Sequence, residues 1–176
     1  MRVAVFGGSF NPPHVGHAMV AAWLRWTDQV DEVWLVPAYQ HAFDKSLAPF
    51  PRRLEACRRL CAALGTGFAA VGVEAELPVP SYTITTLRAL AARHPENRLR
   101  LVLGADNLDA VHKWRDWDAI ERDFAPVVVG RGSLGVEGVP TFPDVSSTEI
   151  RARLAAGLPV DGLVPRPVLE AWLDEG

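Results

Sequence analysis

Two histidines three positions apart, His14 and His17, close the run Gly7-Gly8-Ser9-Phe10-Asn11-Pro12-Pro13-His14-Val15-Gly16-His17. Residues at that spacing share one face of a helix. The glycines let a ligand approach the backbone, and a helix that starts at the end of such a loop offers unpaired N–H groups and positive potential. Two imidazoles on that face can donate hydrogen bonds to phosphate oxygens as charge grows in a transition state. Zinc ligation is the competing chemistry for such a pair, but it needs a third ligand, and no neighbouring Cys or Glu offers one. A second run, Ser146-Ser147-Thr148-Glu149-Ile150-Arg151, reads first as a capping box, Ser followed three residues later by Glu. A capped helix start is also an anion site. There Ser147, Thr148 and Arg151 add hydroxyls and a cation suited to a polyphosphate. The first run is neither G-x-G-x-x-G nor the P-loop pattern, so neither a dinucleotide oxidoreductase nor a P-loop NTPase is indicated.

These runs need elements to position them. Arg2–Phe6, Glu32–Val36, Phe68–Val73, Arg98–Leu103 and Ala125–Gly130 read as short apolar strands. Between them lie helical patterns from His14 to about Thr27, from about Pro51 to Leu64, from Ser81 to before Pro95, and over most of Leu108–Arg122. Ser146–Ala156 and Pro167–Leu173 are the last helices, and Ala38–Phe50 is a polar-aromatic loop. Alternation of strand and helix predicts an α/β fold with a mainly parallel sheet. Ligands of such sheets lie beyond the carboxyl ends of strands, where the strand order reverses. The loops after the first and fourth strands are therefore the expected site.

Composition narrows the field further. The 176 residues suit a single domain over 1–176, and the apolar fraction of 49% is that of an ordinary globular chain. A formal charge of −3 disfavours a nucleic-acid binder, which needs a basic footprint. No apolar run reaches the length of a membrane span, and the N-terminus reads as a strand rather than a signal peptide, which predicts a cytoplasmic protein. Cys57 and Cys61 lie one helical turn apart beside Leu54 and Leu64, a spacing that fits buried free thiols better than a disulfide.

Taken together, four stretches resemble the nicotinate/nicotinamide mononucleotide adenylyltransferase family of nucleotidyltransferases, most closely its bacterial nicotinate type. They are GGSFNPPHVGH at 7–17, SYTITTL at 81–87, LGADNLDAVHKW at 103–114, and SSTEIR at 146–151. They stand in the family's order and span nearly the whole chain. The resemblance implies a Rossmann-like nucleotidyltransferase fold with helices on both faces of the sheet. It also implies transfer of the AMP part of ATP to nicotinate mononucleotide, giving deamido-NAD and pyrophosphate. By the resemblance His14, His17 and Arg151 are the catalytic groups. Gly8, Ser9, Phe10, Gly104, Asp106, Ser146, Ser147 and Thr148 join them around ATP. Lys45, Thr83, Thr85, Thr86 and Trp114 fall on the acceptor side, with Trp114 stacking on the pyridine ring. Mg²⁺ is expected on the ATP phosphates, with no metal held by the protein itself.

The bland readings remain beside these. Trp114 could be core, and the threonines could be ordinary first-turn residues. Two places depart from the family's pattern. Pro37-Ala38-Tyr39-Gln40-His41-Ala42-Phe43-Asp44-Lys45 stands where Pro-Pro-His-Lys is usual, and Arg131-Gly132-Ser133 replaces a more usual Arg-Pro-Gly. The first departure bears on the acceptor, so nicotinamide mononucleotide or another phosphorylated acceptor stays open. A homo-oligomer is possible, and a nucleotide-binding module without catalysis is the rival of another class.

Overall fold

A computed structural model describes residues 1–40, 47–132 and 138–174. Six parallel strands form one sheet: β1 (Arg2–Gly8), β2 (Glu32–Pro37), β3 (Phe68–Ala70), β4 (Arg98–Gly104), β5 (Val127–Arg131) and β6 (Thr141–Phe142). Their order is β3-β2-β1-β4-β5-β6, so β1 and β4 are neighbours and the order reverses between them. That is the doubly wound arrangement, with its ligand crevice outside the ends of β1 and β4.

Side chains alternate across each central strand, which explains the near-continuous apolar runs. Ala4, Val33, Leu35, Val102, Val127 and Val129 face one core. It is covered by helices α1 (Val15–Trp26), α2 (Phe50–Leu64), α5 (Ser147–Ala155) and α6 (Arg166–Leu173). Val3, Val5, Trp34, Val36, Leu99 and Leu101 face the other, under α3 (Thr83–Arg93) and α4 (Trp117–Phe124). Helices therefore cover both faces, as expected. Cys57 and Cys61 are buried free thiols in the first core, and burial pushes the Cys61 thiol up to about 12.

Two expectations need correction, and one strand lies beyond them. The third strand stops at Ala70 rather than Val73, and Val73–Glu76 forms a 3₁₀ turn instead. Gly72 lies between them, pressed so closely on Leu54 that a Cβ would meet its side chain at 2.9 Å. The expected helix over Leu108–Arg122 is broken in two. Ala105–Lys113 is a run of 3₁₀ turns, Trp114 is extended, and Asp116 takes the left-handed conformation (φ 53°) before α4 begins at Trp117. An Asp tolerates that region better than most residues. The short strand β6 carries too few residues for its alternation to be read from sequence.

Candidate active site

β1 ends at Gly8, and the chain turns through Ser9–Pro13 to reach α1. Phe10 is buried there and held at φ 46°, a costly conformation for a residue with a side chain. A Cβ on Gly8 would press on the Phe10 ring at 3.3 Å, so this glycine makes room for the ring. Phe10 in turn packs on His17, with ring centroids 4.8 Å apart.

His14 is the N-cap of α1 and is buried, whereas His17, one turn later, is half-buried. The two rings lie 3.8 Å apart at an interplanar angle of 34°. The His14 backbone N–H donates to His17 Nδ1 at 3.1 Å. That bond makes Nδ1 an acceptor, so the proton of the neutral ring sits on Nε2. Burial pushes the His14 imidazole down to about 4, helped by the Arg131 cation. Burial does the same to His17, with His14 and Arg131 adding to it. Both rings are thus neutral donors near pH 7. The space at Gly16 serves His14 itself, because a Cβ there would meet the His14 ring at 3.0 Å.

The facing wall is α5. Ser146 caps it as expected, its hydroxyl accepting from Thr148 N (3.2 Å) and Glu149 N (3.4 Å). The reciprocal half of the capping box is replaced, because Glu149 pairs with Arg153 at 3.6 Å. Two bonds dock this helix on the glycine loop: Ser147 Oγ donates to the Pro12 carbonyl (2.8 Å) and Arg151 Nη1 to the Asn11 carbonyl (2.7 Å). Residues 135 or more positions apart in sequence thereby meet.

Between the walls lies a polar cleft of about 280 Å³. Ser9, Phe10, Asn11, His14 and His17 line one side, and Ser146, Ser147, Thr148 and Arg151 the other. Leu47 and Arg131 also line it. Two buried side-chain atoms, Asn11 Nδ2 and His14 Nδ1, have no partner among the described residues. Buried polar groups ordinarily are paired, so these await a ligand or water. Among the described residues, no side chain lining the cleft is a carboxylate. Among the described residues no three His, Cys, Asp or Glu converge as a metal-holding group.

Asp106 and Gly104 stand at the end of β4, on the other side of the reversal. A Cβ on Gly104 would collide with the Asp106 carboxylate. Asp106 pairs with Arg131 at 3.5 Å, and Arg131 also reaches Asp144 at 3.4 Å. Arg131 therefore joins the two ends of the site. It was visible in the sequence only as the start of an unusual Arg-Gly-Ser stretch.

The residues expected on the acceptor side are less closely gathered. Thr83 and Thr86 line a small cavity of about 40 Å³ together with Gly7, Val36, Glu74 and Leu101, against β1, β2 and β4. Thr85 is not part of that lining. Trp114 is half-buried against the core under α3, edge-on to Trp117 at 6.0 Å. Lys45 lies outside the described residues. Two charged residues at this end, Arg53 and Glu74, are buried and had no signal in the sequence.

Comparison with known proteins agrees with this geometry. The cytidylyltransferase-like family model matches residues 5–153. A probable nicotinate-nucleotide adenylyltransferase of Anaeromyxobacter sp. (strain K) is 49% identical, over 99% of this chain and 95% of its own. The chain belongs to the cytidylyltransferase-like family, among the nicotinate-nucleotide adenylyltransferases. A Myxococcus xanthus protein described in the same words is 40% identical over 94% of this chain and 88% of its own. In fold, the chain matches Plasmodium falciparum nicotinic acid mononucleotide adenylyltransferase complexed with NaAD. The TM-score is 0.80 over 97% of this chain and 93% of that one, at 18% identity. The enzyme thus carries out adenylyl transfer in NAD biosynthesis on a Rossmann-like nucleotidyltransferase scaffold. No helix among the described residues is long and apolar enough to cross a membrane.

Proposed function

We propose that the enzyme transfers the adenylyl group of MgATP to nicotinate mononucleotide, giving deamido-NAD and pyrophosphate. The observation that carries this reading is the cleft between the glycine loop and α5. Its neutral histidines and two arginines surround unpartnered buried atoms, a set suited to a polyphosphate. The relatives' descriptions favour a nicotinate nucleotide as acceptor.

In this reading the ATP phosphates lie between His14, His17 and Arg151, with Ser146, Ser147 and Thr148 along α5. Ser9 and Phe10 line the nucleotide, Gly8 and Gly104 keep the backbone close to it, and Asp106 contacts the adenosine ribose. An oxygen of the acceptor's 5′-phosphate attacks the α-phosphorus in line. The new P–O bond forms as the bond to the β-phosphate oxygen breaks, and pyrophosphate leaves with its Mg²⁺. The nucleophile is already anionic, so no protein base is needed. Catalysis is positioning and charge stabilisation. His17 supports this role best, since its bonded Nδ1 commits Nε2–H as the donor. Mg²⁺ keeps several waters and prefers phosphate oxygens, which suits a cleft lined by hydroxyls and cations. Thr83, Thr86 and Trp114 bound the acceptor's side, with Thr85 beside Thr86 in the chain, and Lys45 is assigned to the acceptor in the same reading. The protein acts without nucleic acid or membrane, in the cytoplasm, as a single domain.

The test is pyrophosphate release from MgATP with a panel of phosphorylated acceptors. Release with nicotinate mononucleotide at a kcat/KM well above that for nicotinamide mononucleotide or a simple phosphorylated alcohol is expected. Release that is independent of any acceptor would contradict the reading.

A further inference from the structure

Arg53 and Glu74 are charged, buried, and outside the cleft. Arg53 is 1% exposed, and Glu74 is 8% exposed. Burying charges is costly unless they are paired and hydrogen-bonded. Arg53, on α2, spends its guanidinium on three backbone carbonyls. Nε donates to Ala48 (2.9 Å), Nη1 to Ser9 (2.9 Å) and Nη2 to Tyr39 (3.3 Å). Glu74, on the 3₁₀ turn after β3, accepts from the Tyr39 backbone N–H (2.9 Å) and from Thr86 Oγ1 (2.8 Å). The Tyr39 residue is therefore held from both sides, its carbonyl by a cation and its N–H by an anion.

These bonds join parts of both substrate sides. Ser9 belongs to the loop that leads to the histidines. Tyr39 and Ala48 flank the departure after β2. Thr86 sits in the first turn of α3 and lines the small cavity, as does Glu74. Two more backbone-level ties point the same way: Ala38 N–H donates to the Gly8 carbonyl (2.9 Å) and Ala48 N–H to Asn11 Oδ1 (3.1 Å).

We infer that Arg53 and Glu74 are positioning residues, a buried charged tie that fixes Tyr39 and Thr86 relative to Ser9 and thereby sets the affinity of the acceptor side. The inference rests on the proposed function for the identity of the acceptor. Neither residue touches the reacting atoms. The geometry assigns the acceptor side the larger share, because Glu74 ends on Thr86 and the cavity. Arg53 reaches the ATP side directly through one carbonyl, that of Ser9, and at one remove through Ala48, whose N–H donates to Asn11.

The test uses Glu74→Gln and Arg53→Lys in the full chain. Gln keeps the volume but can no longer accept both bonds as an anion, and Lys offers one donor direction where Arg offers a planar fork. For Glu74→Gln, KM for nicotinate mononucleotide is expected to rise about tenfold, the loss of one charge-assisted bond. KM for MgATP and kcat should stay within about threefold, a split that a general loss of stability does not produce. Arg53→Lys should show the same pattern more weakly. Amide exchange supplies a readout independent of turnover. The Tyr39 N–H should exchange about tenfold faster in Glu74→Gln, with the β1 and β4 amides unchanged. Equal rises in both KM values, or Tyr39 exchange as slow as in the wild type, would overturn the tie. If the wild type makes no product from nicotinate mononucleotide, the proposed function fails instead, and the exchange experiment still decides the tie.

Discussion

The cleft beside His14 and the cavity beside Thr86 both adjoin β1 yet are built in opposite ways. The cleft is about 280 Å³, is lined by hydroxyls, imidazoles and guanidinium groups, and leaves buried atoms of Asn11 and His14 unpartnered. Phe10 is held there in a left-handed conformation. The cavity is about 40 Å³, has Val5, Val36, Leu87 and Leu101 in its lining, and its Thr86 and Glu74 satisfy each other. One region is polar groups waiting for charge; the other is a packed core with a shallow opening. The difference teaches that one substrate side is held by polar groups open to a ligand and the other by packing, so substitutions in the cleft and in the core behind the cavity should fail differently.

The largest effect is expected in the cleft. His17→Ala should lower kcat by about 10²–10³, the usual loss of a transition-state donor, with little change in melting temperature. A change in kcat under about threefold would remove His17 from the reaction. On the other face Leu90→Ala should do the reverse. Leu90 is buried in the core under α3 and lies outside the cavity lining, so stability should fall by about 2–5 kcal/mol in denaturant unfolding, while turnover per folded molecule stays near the wild-type value. If each variant changed both quantities alike, the two regions would not be distinct.

Gly16→Ala sharpens the contrast at one atom. The added Cβ would meet the His14 ring at 3.0 Å and push it from its place. Turnover should fall about tenfold, less than for His17→Ala, because a displaced group is lost only in part.

The smallest effect is on pH dependence. His14 binds its proton at about 4 in the fold but near 6.5 when unfolded, and His17 is lowered in the same direction. Between those values the unfolded chain holds more protons, so stability is full above about pH 6.5 and is lost as pH falls toward 4. Each histidine can add a slope of at most about 1.4 kcal/mol per pH unit there. In denaturant titrations His14→Asn should show a shallower acid slope than the wild type. An unchanged slope would mean that His14 is already solvated.

Much of this was legible in the sequence, and for a physical reason. His14 and His17 sit within one helical turn, so local geometry alone places them together. Ser146 announces a helix start through its own backbone bonds. The parallel sheet follows from alternating apolar runs that are buried on both faces. Arg53 and Glu74 were not legible, because their partners are backbone groups of distant loops, and a backbone carbonyl leaves no mark in a sequence. Arg131 was hidden likewise, since its meeting with Asp106 depends on β4 and β5 being neighbours. The break at Asp116 was missed because helical apolar spacing continues across it, from Leu108 and Val111 to Ile120.

The most direct measurement is product analysis after mixing the protein with MgATP and equal amounts of nicotinate and nicotinamide mononucleotides. The account predicts deamido-NAD as the dominant product, formed in step with pyrophosphate. Dominant NAD would contradict the assigned acceptor while keeping the reaction, and the absence of both dinucleotides would contradict the proposed function itself.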